Sequence, residues 1–398
     1  FRGCSNLTGI ILGTGLKMID SGAFDSCEKL SSITLPEGLT ALSGGLFQGC
    51  KNLKSITIPN SVTNISWSSF SNCTQLASIY IHSNISSIGD SAFGNCSSLN
   101  SITVDPNNLY YSSENDVLFD KNKTTLIRAH NKPGAFEVPG YVRSLGRDSF
   151  YGCNAITSVK IPNGVADISQ RAFGDCAELK YAKIAESVVK IEGLVFSNCS
   201  KLKALYFYGA FPSQITSNPL GTVSSSFKLY YLQGQPGWTT PTCSFDRSSY
   251  NTVPFTGYTP DYFYIDDGAA IDIISYTGAG GNLIIPAVIN SKNVKGLGTS
   301  LFQDDSSLTS VTIPDCVTEI DDNAFGGCSN LAGAYFLGDA PSKFGTNVFA
   351  GATSGFKIFY VTGKTGWTNP WNTYTAATFL PSAAVLKRSK QPLHGADN

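Results

Sequence analysis

A pair of residues, Phe-x-x-Cys, recurs along the chain at an interval of 23 residues. Consecutive copies begin at Phe1, Phe24, Phe47, Phe70 and Phe93, and further phenylalanine anchors lie at positions 150, 173, 196, 302 and 325. A fixed period of this length is the signature of a repeat architecture, because stacked units bury an apolar face that one unit cannot bury alone. The chain is therefore predicted to be a solenoid.

One repeat, residues 30–50, shows how the period is built. Ile33 and Leu35 alternate with Ser32 and Thr34, which is the period of a strand with one buried and one exposed face. Pro36 follows directly and cannot donate to a strand ladder, so the strand ends there. The later apolar residues, at spacings of three and four, suit short 3₁₀ or irregular turns. A mostly β solenoid is expected.

The repeat is interrupted between Phe93 and Phe150, a step of 57 residues. The surplus segment contains two β-rich runs, VLF and TLIRA, on either side of Asp120–Lys123. Two such runs around a short polar loop predict a β-hairpin. We expect this insertion, residues 105–139 approximately, to bulge from the solenoid.

A second irregularity points to a tandem duplication. The segments that follow Cys199 and Cys328 match at a constant offset of 129 residues: Phe196/Phe325, Leu202/Leu331, Pro212/Pro341, Tyr231/Tyr360, Trp238/Trp367 and Pro241/Pro370. Because an open repeat stack needs a terminal element over its last apolar face, these aromatic segments are predicted to be caps. The first module then spans residues 1–256, with its C-terminal cap at about 203–256. The second spans 257–381, with an N-terminal β cap at 257–290 and a C-terminal cap at about 332–381, and 382–398 form a tail or linker.

This pattern resembles leucine-rich repeats, and its I-P and A-F-x-x-C elements are similar to those of the BspA-like subclass of bacterial and protist surface proteins. The resemblance covers the chain to about residue 380. It implies a leucine-rich-repeat solenoid, an extracellular or cell-surface location and adhesion to other cells or host proteins.

Composition argues against several other classes. Charged residues make up 14% of the chain and the formal net charge is −1, so no general field draws it to nucleic acid or to anionic membranes. No apolar run approaches the length of a membrane span. Motifs of hydrolases, nucleotide-binding proteins and metalloproteases are absent, and His occurs three times. The sequence predicts no enzyme, no catalytic residues, no cofactor and no metal site.

The repeated cysteines allow two interpretations. A disulfide between adjacent turns is compatible with the strand spacing of about 4.8 Å. Equivalent side chains in stacked turns project in parallel, however, which fits the torsion of an S–S bond poorly, and Asp305 replaces the cysteine in one repeat. The favoured interpretation is a ladder of small, buried, reduced thiols that pack like Ala or Val.

The outward strand positions are the predicted binding surface. In successive repeats a Ser/Thr ladder gives way to tyrosine and lysine, which are side chains that recognition surfaces use. The predicted partner-binding residues on this concave face are Tyr80, Lys160, Tyr181, Lys183, Tyr206, Tyr208 and Tyr335. The alternative is that Tyr and Thr occur there because they favour strands.

The sequence therefore predicts an extracellular recognition or adhesion protein that binds a protein or glycan ligand on host or neighbouring cells. Two alternatives stay open. Capped modules in tandem could self-associate into an extracellular filament or coat, or the chain could be the non-catalytic binding arm of a larger secreted enzyme.

Overall fold

The computed structural model describes residues 1–221, 223, 227–245 and 248–393. The chain divides into two compact units, Phe1–Val253 and Pro254–Asn398. Each unit is a β solenoid, which confirms the predicted fold class. Described residues form one short α-helix, near the end of the chain.

The strands of the first unit fall into two groups, one on each side of the solenoid. Two-residue strands on one side are β1 Ala41–Leu42, β2 Asn64–Ile65, β4 Ser87–Ile88, β10 Ser144–Leu145, β12 Asp167–Ile168, β14 Lys190–Ile191 and β16 Gln214–Ile215. Longer strands on the other side are β3 Ser78–Ile81, β5 Ser101–Val104, β9 Gly134–Glu137, β11 Ile156–Ile161, β13 Tyr181–Ile184, β15 Ala204–Phe207 and β17 Lys228–Leu232. The insertion adds β6 Tyr111–Glu114, β7 Val117–Asp120 and β8 Thr125–Arg128, and the cap adds the antiparallel pair β18 Thr242–Phe245 and β19 Ser248–Phe255.

Neighbouring turns pair in parallel with a constant register. Tyr181 on β13 lies opposite Ser158 on β11 and Ala204 on β15, each one turn away. The short strands follow the same rule, as in Ile65 opposite Leu42 and Ile88. The repeat of the sequence is thus a repeat in space, and each apolar position forms a column through the core.

The phenylalanines form the most regular column. From Phe1 to Phe93, consecutive rings stack with centroids 5.6–5.8 Å apart. After the insertion the column resumes from Phe150 to Phe196, with spacings of 4.6 and 5.2 Å. The second unit repeats it from Phe302 through Phe325 to Phe349, with spacings of 4.8 and 5.2 Å. Phe349 is an anchor that lies outside the predicted set.

The cysteines are free thiols that contribute a hydrogen bond as well as volume. In a regular turn the Sγ donates to the carbonyl oxygen of the phenylalanine one turn earlier. This contact measures 3.1–3.2 Å from Cys27 to Phe1, Cys50 to Phe24, Cys73 to Phe47, Cys96 to Phe70, Cys176 to Phe150, Cys199 to Phe173 and Cys328 to Phe302.

The residue before a repeat cysteine has a left-handed backbone. Its φ is 72° at Gly49, 61° at Asn72, 53° at Asn95 and 54° at Asp175. Only glycine, or a residue such as Asn or Asp that tolerates this region, meets that demand at low cost. The tight corner therefore explains why Gly, Asn, Asp and Ser recur at this position.

The insertion forms the predicted hairpin but does not bulge from the solenoid. Strands β7 and β8 are antiparallel, and β6 pairs with β7 on the outer side. Strand β8 also pairs in parallel with β10, so the hairpin is built into the sheet of short strands. Phe119 and Leu126 enter the core of the following turns, whereas Leu118 enters the preceding core. Alternating apolar side chains thus draw the insertion inward.

The second unit begins with antiparallel strands and then adopts the repeat. Its strands are β20 Gly257–Tyr258, β21 Tyr262–Asp266, β22 Ile271–Tyr276, β23 Gly281–Ile284, β24 Val288–Ile289, β25 Lys292–Leu297, β26 Leu308–Ile313, β27 Glu319–Ile320, β28 Gly333–Phe336, β29 Lys343–Phe344, β30 Lys357–Val361 and β31 Ala376–Phe379. Strand β22 is antiparallel to β21 and parallel to β25, so it joins the two arrangements.

The predicted tail is partly ordered. Helix α1, Ala383–Ser389, is capped at its N-terminus by Ser382, whose hydroxyl accepts from the Val385 amide. Beyond the helix, the Leu393 amide donates to the Val288 carbonyl at 3.0 Å. These residues belong to the second unit rather than to a linker, and 394–398 lie outside the described residues.

The duplicated tryptophans make the same contacts in both units. Trp238 stacks on Tyr231 and Trp367 stacks on Tyr360, each at 5.1 Å with ring planes 9° apart. Each indole N–H donates to a glycine carbonyl, at 3.0 Å for Gly209 and 3.3 Å for Gly338. The duplicated segments therefore pack in the same way in both units.

We expect Phe70→Ala to lower the free energy of unfolding by about 3–5 kcal/mol, the usual cost of truncating a buried phenylalanine. Phe70 is fully buried between Phe47 and Phe93, so the cavity has two stacked neighbours. Urea unfolding followed by circular dichroism measures the loss. Thr57→Ala, at an exposed position, is the control and is expected to change it by less than about 0.5 kcal/mol. Equal losses in both variants would contradict the stacked column.

We expect stability to fall above pH 9 through the buried thiols. Burial raises the pKa of Cys50 from 9.0 to about 12, so the unfolded chain loses this proton before the folded chain does. Within this window the free energy of unfolding falls by about 1.4 kcal/mol per pH unit for one such thiol. Urea titrations from about pH 8 to about pH 11 measure the slope. Cys50→Ser does not titrate there, and a slope as steep as that of wild type would refute the assignment.

Candidate functional site

The long-strand face, the outward side of β3, β5, β9, β11, β13 and β15, holds most of the predicted binding residues. Lys160 on β11 and Lys183 on β13 occupy paired positions, and Ser158 is paired with Tyr181. Adjacent strands lie about 4.8 Å apart, so Lys160, Tyr181 and Lys183 form one patch. Lys160 is exposed, and Tyr181 and Lys183 are half-buried.

Lys160 is held by an acidic neighbour from the preceding strand. Its Nζ lies 2.7 Å from Oε1 of Glu137 on β9. Both side chains are exposed, so water screens the pair and its contribution to stability is small. The patch therefore presents adjacent positive and negative groups to solvent.

Tyr206 differs from the prediction because it is not accessible. Only 2% of the residue is exposed. Its ring stacks on Tyr230 at 5.0 Å and meets Tyr181 edge-on at 6.2 Å. The alternation of the strand gave its direction correctly, but an outward side chain between two aromatic neighbours is still covered. Tyr208, just beyond β15, is half-buried.

Tyr80 lies on the same face but in a separate sheet, formed by β3 and β5. It is 52% exposed, and its hydroxyl donates to Asp105 at 2.8 Å. This hydrogen bond raises the pKa of Tyr80. Between the two sheets lies the insertion, where Asp116 accepts from Ser101 at 3.1 Å and pairs with Lys132 at 2.6 Å. Tyr80 is therefore not part of the lysine patch.

Tyr335 belongs to the second unit. It is half-buried on β28, stacks on Phe359 of β30 at 4.8 Å and meets Phe379 of β31 edge-on at 5.3 Å. Tyr335 and Phe359 are the duplicates, at an offset of 129 residues, of the stacked pair Tyr206 and Tyr230. Each unit thus carries one aromatic stack at corresponding positions of its long strands.

Sequence reasoning missed two of these neighbours. Glu137 could have been found because Phe136, Val138 and Pro139 repeat the apolar pattern and terminal proline of a long strand. Phe359 could have been found by applying the 129-residue offset to Tyr230. By contrast, the contact of Asp116 with Lys132 depends on how the insertion folds back, which no spacing revealed.

The patch presents ammonium groups, a carboxylate and an aromatic ring on a regular sheet. Within the described part of the chain, no group of three or more His, Cys, Asp or Glu side chains is placed to hold a metal ion. Over the same residues, no helix has both the length and the apolar character needed to cross a bilayer.

We expect Tyr206 and Tyr80 to differ in their response to truncation. Tyr206→Ser removes a buried ring from a stack and is expected to lower the free energy of unfolding by about 3 kcal/mol. Tyr80→Ser removes an exposed ring and one hydrogen bond, at a cost of about 1 kcal/mol. Thermal and urea unfolding measure both. Tyr206→Phe retains the stack and is the matched control; a loss as large as that of Tyr206→Ser would show that the ring contact is not the cause.

Comparisons with known proteins agree with this architecture. The BspA type leucine rich repeat region matches in six copies, over residues 1–122, 131–233 and 281–362. No curated protein matches significantly.

Solved structures similar to the chain include a leucine rich cell surface protein from Faecalibacterium prausnitzii, with 24% identity, a TM-score of 0.48, and 84% of this chain and 67% of that chain covered. A leucine-rich repeat protein from Eubacterium ventriosum has 20% identity and a TM-score of 0.49, and the match covers 92% of this chain and 87% of that chain. The pneumococcal vaccine antigen PcpA has 16% identity and a TM-score of 0.46, and the match covers 89% of this chain and 74% of that chain. The family match spans more than half of the residues of this chain, so the chain belongs to the BspA type leucine-rich-repeat family.

Proposed function

We propose that the protein is a secreted or cell-surface recognition protein that binds a protein or glycan through the long-strand face of its first unit. The patch formed by Lys160, Tyr181 and Lys183 is the proposed centre of contact. The observation that carries the proposal is the register of β11 and β13, which sets these three side chains next to one another.

The scaffold supports a binding role because the patch needs little rearrangement. Parallel pairing continues on both sides of the patch, from β9 through β15, and the inward residues Val159 and Ala182 are buried. The backbone of such a sheet keeps its position when a ligand arrives, so less backbone conformational entropy is lost on binding.

The chemistry of the patch favours a polar partner. Lys160 and Glu137 form an exposed ion pair whose groups are available to an incoming acid or hydroxyl. The Tyr181 ring provides an apolar surface with a polar edge, which suits both sugar rings and protein side chains. The proposed ligand therefore carries hydroxyl or carboxylate groups beside an apolar face.

The test is a triple variant, Lys160→Ser, Tyr181→Ser and Lys183→Ser. We expect at least about a tenfold loss of affinity for ligands found by probing fluorescently labelled wild-type protein on a glycan array and on mucin-coated plates, because residues at the centre of an interface dominate its energy. Surface plasmon resonance measures the affinity, and circular dichroism checks folding.

The matched control is Tyr110→Ser, Lys190→Ser and Lys201→Ser, which removes the same side-chain types outside the patch. Retained affinity in the control and lost affinity in the patch variant support the proposal. Unchanged affinity in the patch variant overturns it. Ordered filaments of the purified wild-type protein in negative-stain microscopy, with no binding to either surface, would favour a structural role instead.

A further inference from the structure

Trp67 differs from the other tryptophans of the chain. Trp238 and Trp367 pack against the cores of their units, and Trp371 is buried. Trp67 is 59% exposed. The indole N–H groups of Trp238 and Trp367 donate to carbonyl oxygens, whereas that of Trp67 has no hydrogen-bond partner among the described residues. A single exposed ring is ordinary on a protein surface, so its setting decides what it can do.

The indole of Trp67 rests on the backbone of the preceding turn. A Cβ added at Gly44 would overlap Cε2, Nε1 and Cζ2 of the ring together, so a face of the ring lies over Gly44. The φ of Gly44 lies outside the left-handed region, so the ring rather than the backbone conformation requires glycine here. The opposite face of the indole is turned to solvent.

The backbone of Trp67 is held from both sides. Its carbonyl oxygen accepts from the Gly45 amide at 2.9 Å. On the next turn, a Cβ added at Gly89 would overlap the backbone nitrogen of Trp67, so the two turns are in close contact. The indole is therefore a flat surface that is already in place before a ligand arrives, which lowers the entropy lost on binding.

The repeat places polar side chains in line with this ring. Each lies two residues beyond a short strand, and we call the set the indole row: Trp67 after β2, Asp90 after β4, Arg147 after β10 and Gln170 after β12. The Ser68 amide donates to the Asp90 carbonyl at 3.0 Å, and the Asp148 amide donates to the Gln170 carbonyl at 3.2 Å. The indole row thus crosses successive turns of the first unit.

The polar members of the indole row are in contact with one another and with solvent. A guanidinium nitrogen of Arg147 lies 3.6 Å from the Asp90 carboxylate, and Arg147 also donates to the Gln170 amide oxygen. The side chain of Asp90 is 71% exposed and that of Arg147 is 42% exposed. Water screens such a pair, so its groups are open to exchange with a ligand.

The charges of the indole row indicate the class of ligand. Asp90 and Arg147 are of opposite sign and adjacent, so they give no net attraction for an ion. A carboxylate accepts hydrogen bonds and a guanidinium donates them. Two hydroxyls on neighbouring carbons of a sugar can therefore be bound together, one donating to Asp90 and the other accepting from Arg147.

We propose that the indole row binds a neutral, extended oligosaccharide, with one pyranose ring on the free face of Trp67 and the next residues hydrogen-bonded to Asp90 and Arg147. A pyranose with equatorial hydroxyls has an apolar C–H face and polar edges, which matches an indole beside polar groups. The indole row lies beside the short strands, so the site is independent of the function proposed for the long-strand face.

Cellohexaose, a flat and extended neutral hexasaccharide, is the probe, and isothermal titration calorimetry measures its affinity. We expect saturable binding of one equivalent to the wild-type protein. Trp67→Ala is expected to weaken it about tenfold or more, because a tryptophan at the centre of an interface dominates its energy. Tyr80→Ala removes a ring of similar exposure, 52%, on the long-strand face and is the matched control. It is expected to bind as wild type does.

The position of the ring is tested without removing it. Gly44→Ala displaces the indole and is expected to weaken binding about fivefold or more, because the ring is no longer held in place. Gly140→Ala, at a glycine with open space around it, is the control and is expected to bind as wild type does. Circular dichroism checks the folding of every variant. Equal affinities of Gly44→Ala and wild type would contradict the held ring.

Two further probes separate the ligand classes. Maltohexaose has the same sugar in a curved chain, and hexagalacturonic acid is charged; both are expected to bind at least about tenfold more weakly than cellohexaose, because neither matches the straight, uncharged row. A preference for either of them, no binding of cellohexaose to wild type, or unchanged binding in Trp67→Ala overturns the proposal. The triple variant of Lys160, Tyr181 and Lys183 is expected to bind cellohexaose as wild type does, so the two proposed sites succeed or fail separately.

If Trp67→Ala does not fold, the wild-type protein still decides the question. Acrylamide quenches the fluorescence of an exposed indole more strongly than that of a packed one. Saturating cellohexaose is expected to shield the exposed indole and reduce the quenching. Quenching that is the same with and without cellohexaose overturns the proposal.

Discussion

The hydrogen bond from a buried thiol to the carbonyl of the previous phenylalanine joins each regular turn of the repeat to the one before it. The phenylalanine carbonyl already accepts from the amide of the cysteine three residues on, as in Cys50 to Phe47 at 3.0 Å, and the thiol of the next turn is a second donor to it. Valine or alanine would fill the space but could not donate, whereas cysteine is a small apolar residue with a weak S–H donor. The contact of Cys73 with Phe47, at 3.1 Å, therefore combines close packing with a weak hydrogen bond between turns.

Exceptions to the pattern obey the same logic. Asp305 occupies a cysteine position in the first phenylalanine turn of the second unit, where the preceding ring is that of Tyr276. The Asp305 carboxylate accepts from the Ser307 amide, within its own turn, at 3.0 Å. Cys153 follows the insertion, and its Sγ lies 3.8 Å from the His130 carbonyl, a much longer contact. The residue type at this corner thus depends on what the preceding turn presents.

The period made the solenoid predictable from sequence, because each apolar position recurs at one place in space. Direction was predictable too: Lys160, Tyr181 and Lys183 do share one face. Accessibility was not, since the burial of Tyr206 depends on Tyr181 and Tyr230 on adjacent strands. The insertion was predictable as a hairpin but not as part of the sheet, because that placement depends on which core accepts Phe119 and Leu126. Local pattern specifies a side chain's direction, and the neighbouring turns specify what covers it.

The same distinction indicates where chemistry can arise in such a chain. In a regular repeat, the backbone donors of one turn form hydrogen bonds with the backbone acceptors of the next turn. Few polar groups inside the stack are therefore left to bind a ligand. A break in the period changes which hydrogen-bond donors and acceptors face each other between turns. The step between Phe93 and Phe150 is such a break, and there Arg128 enters the core with one edge unmatched while Asp148 is fully engaged by Arg171. Outward positions of the regular turns form a broad surface, whereas the interruption places a charged side chain inside the core.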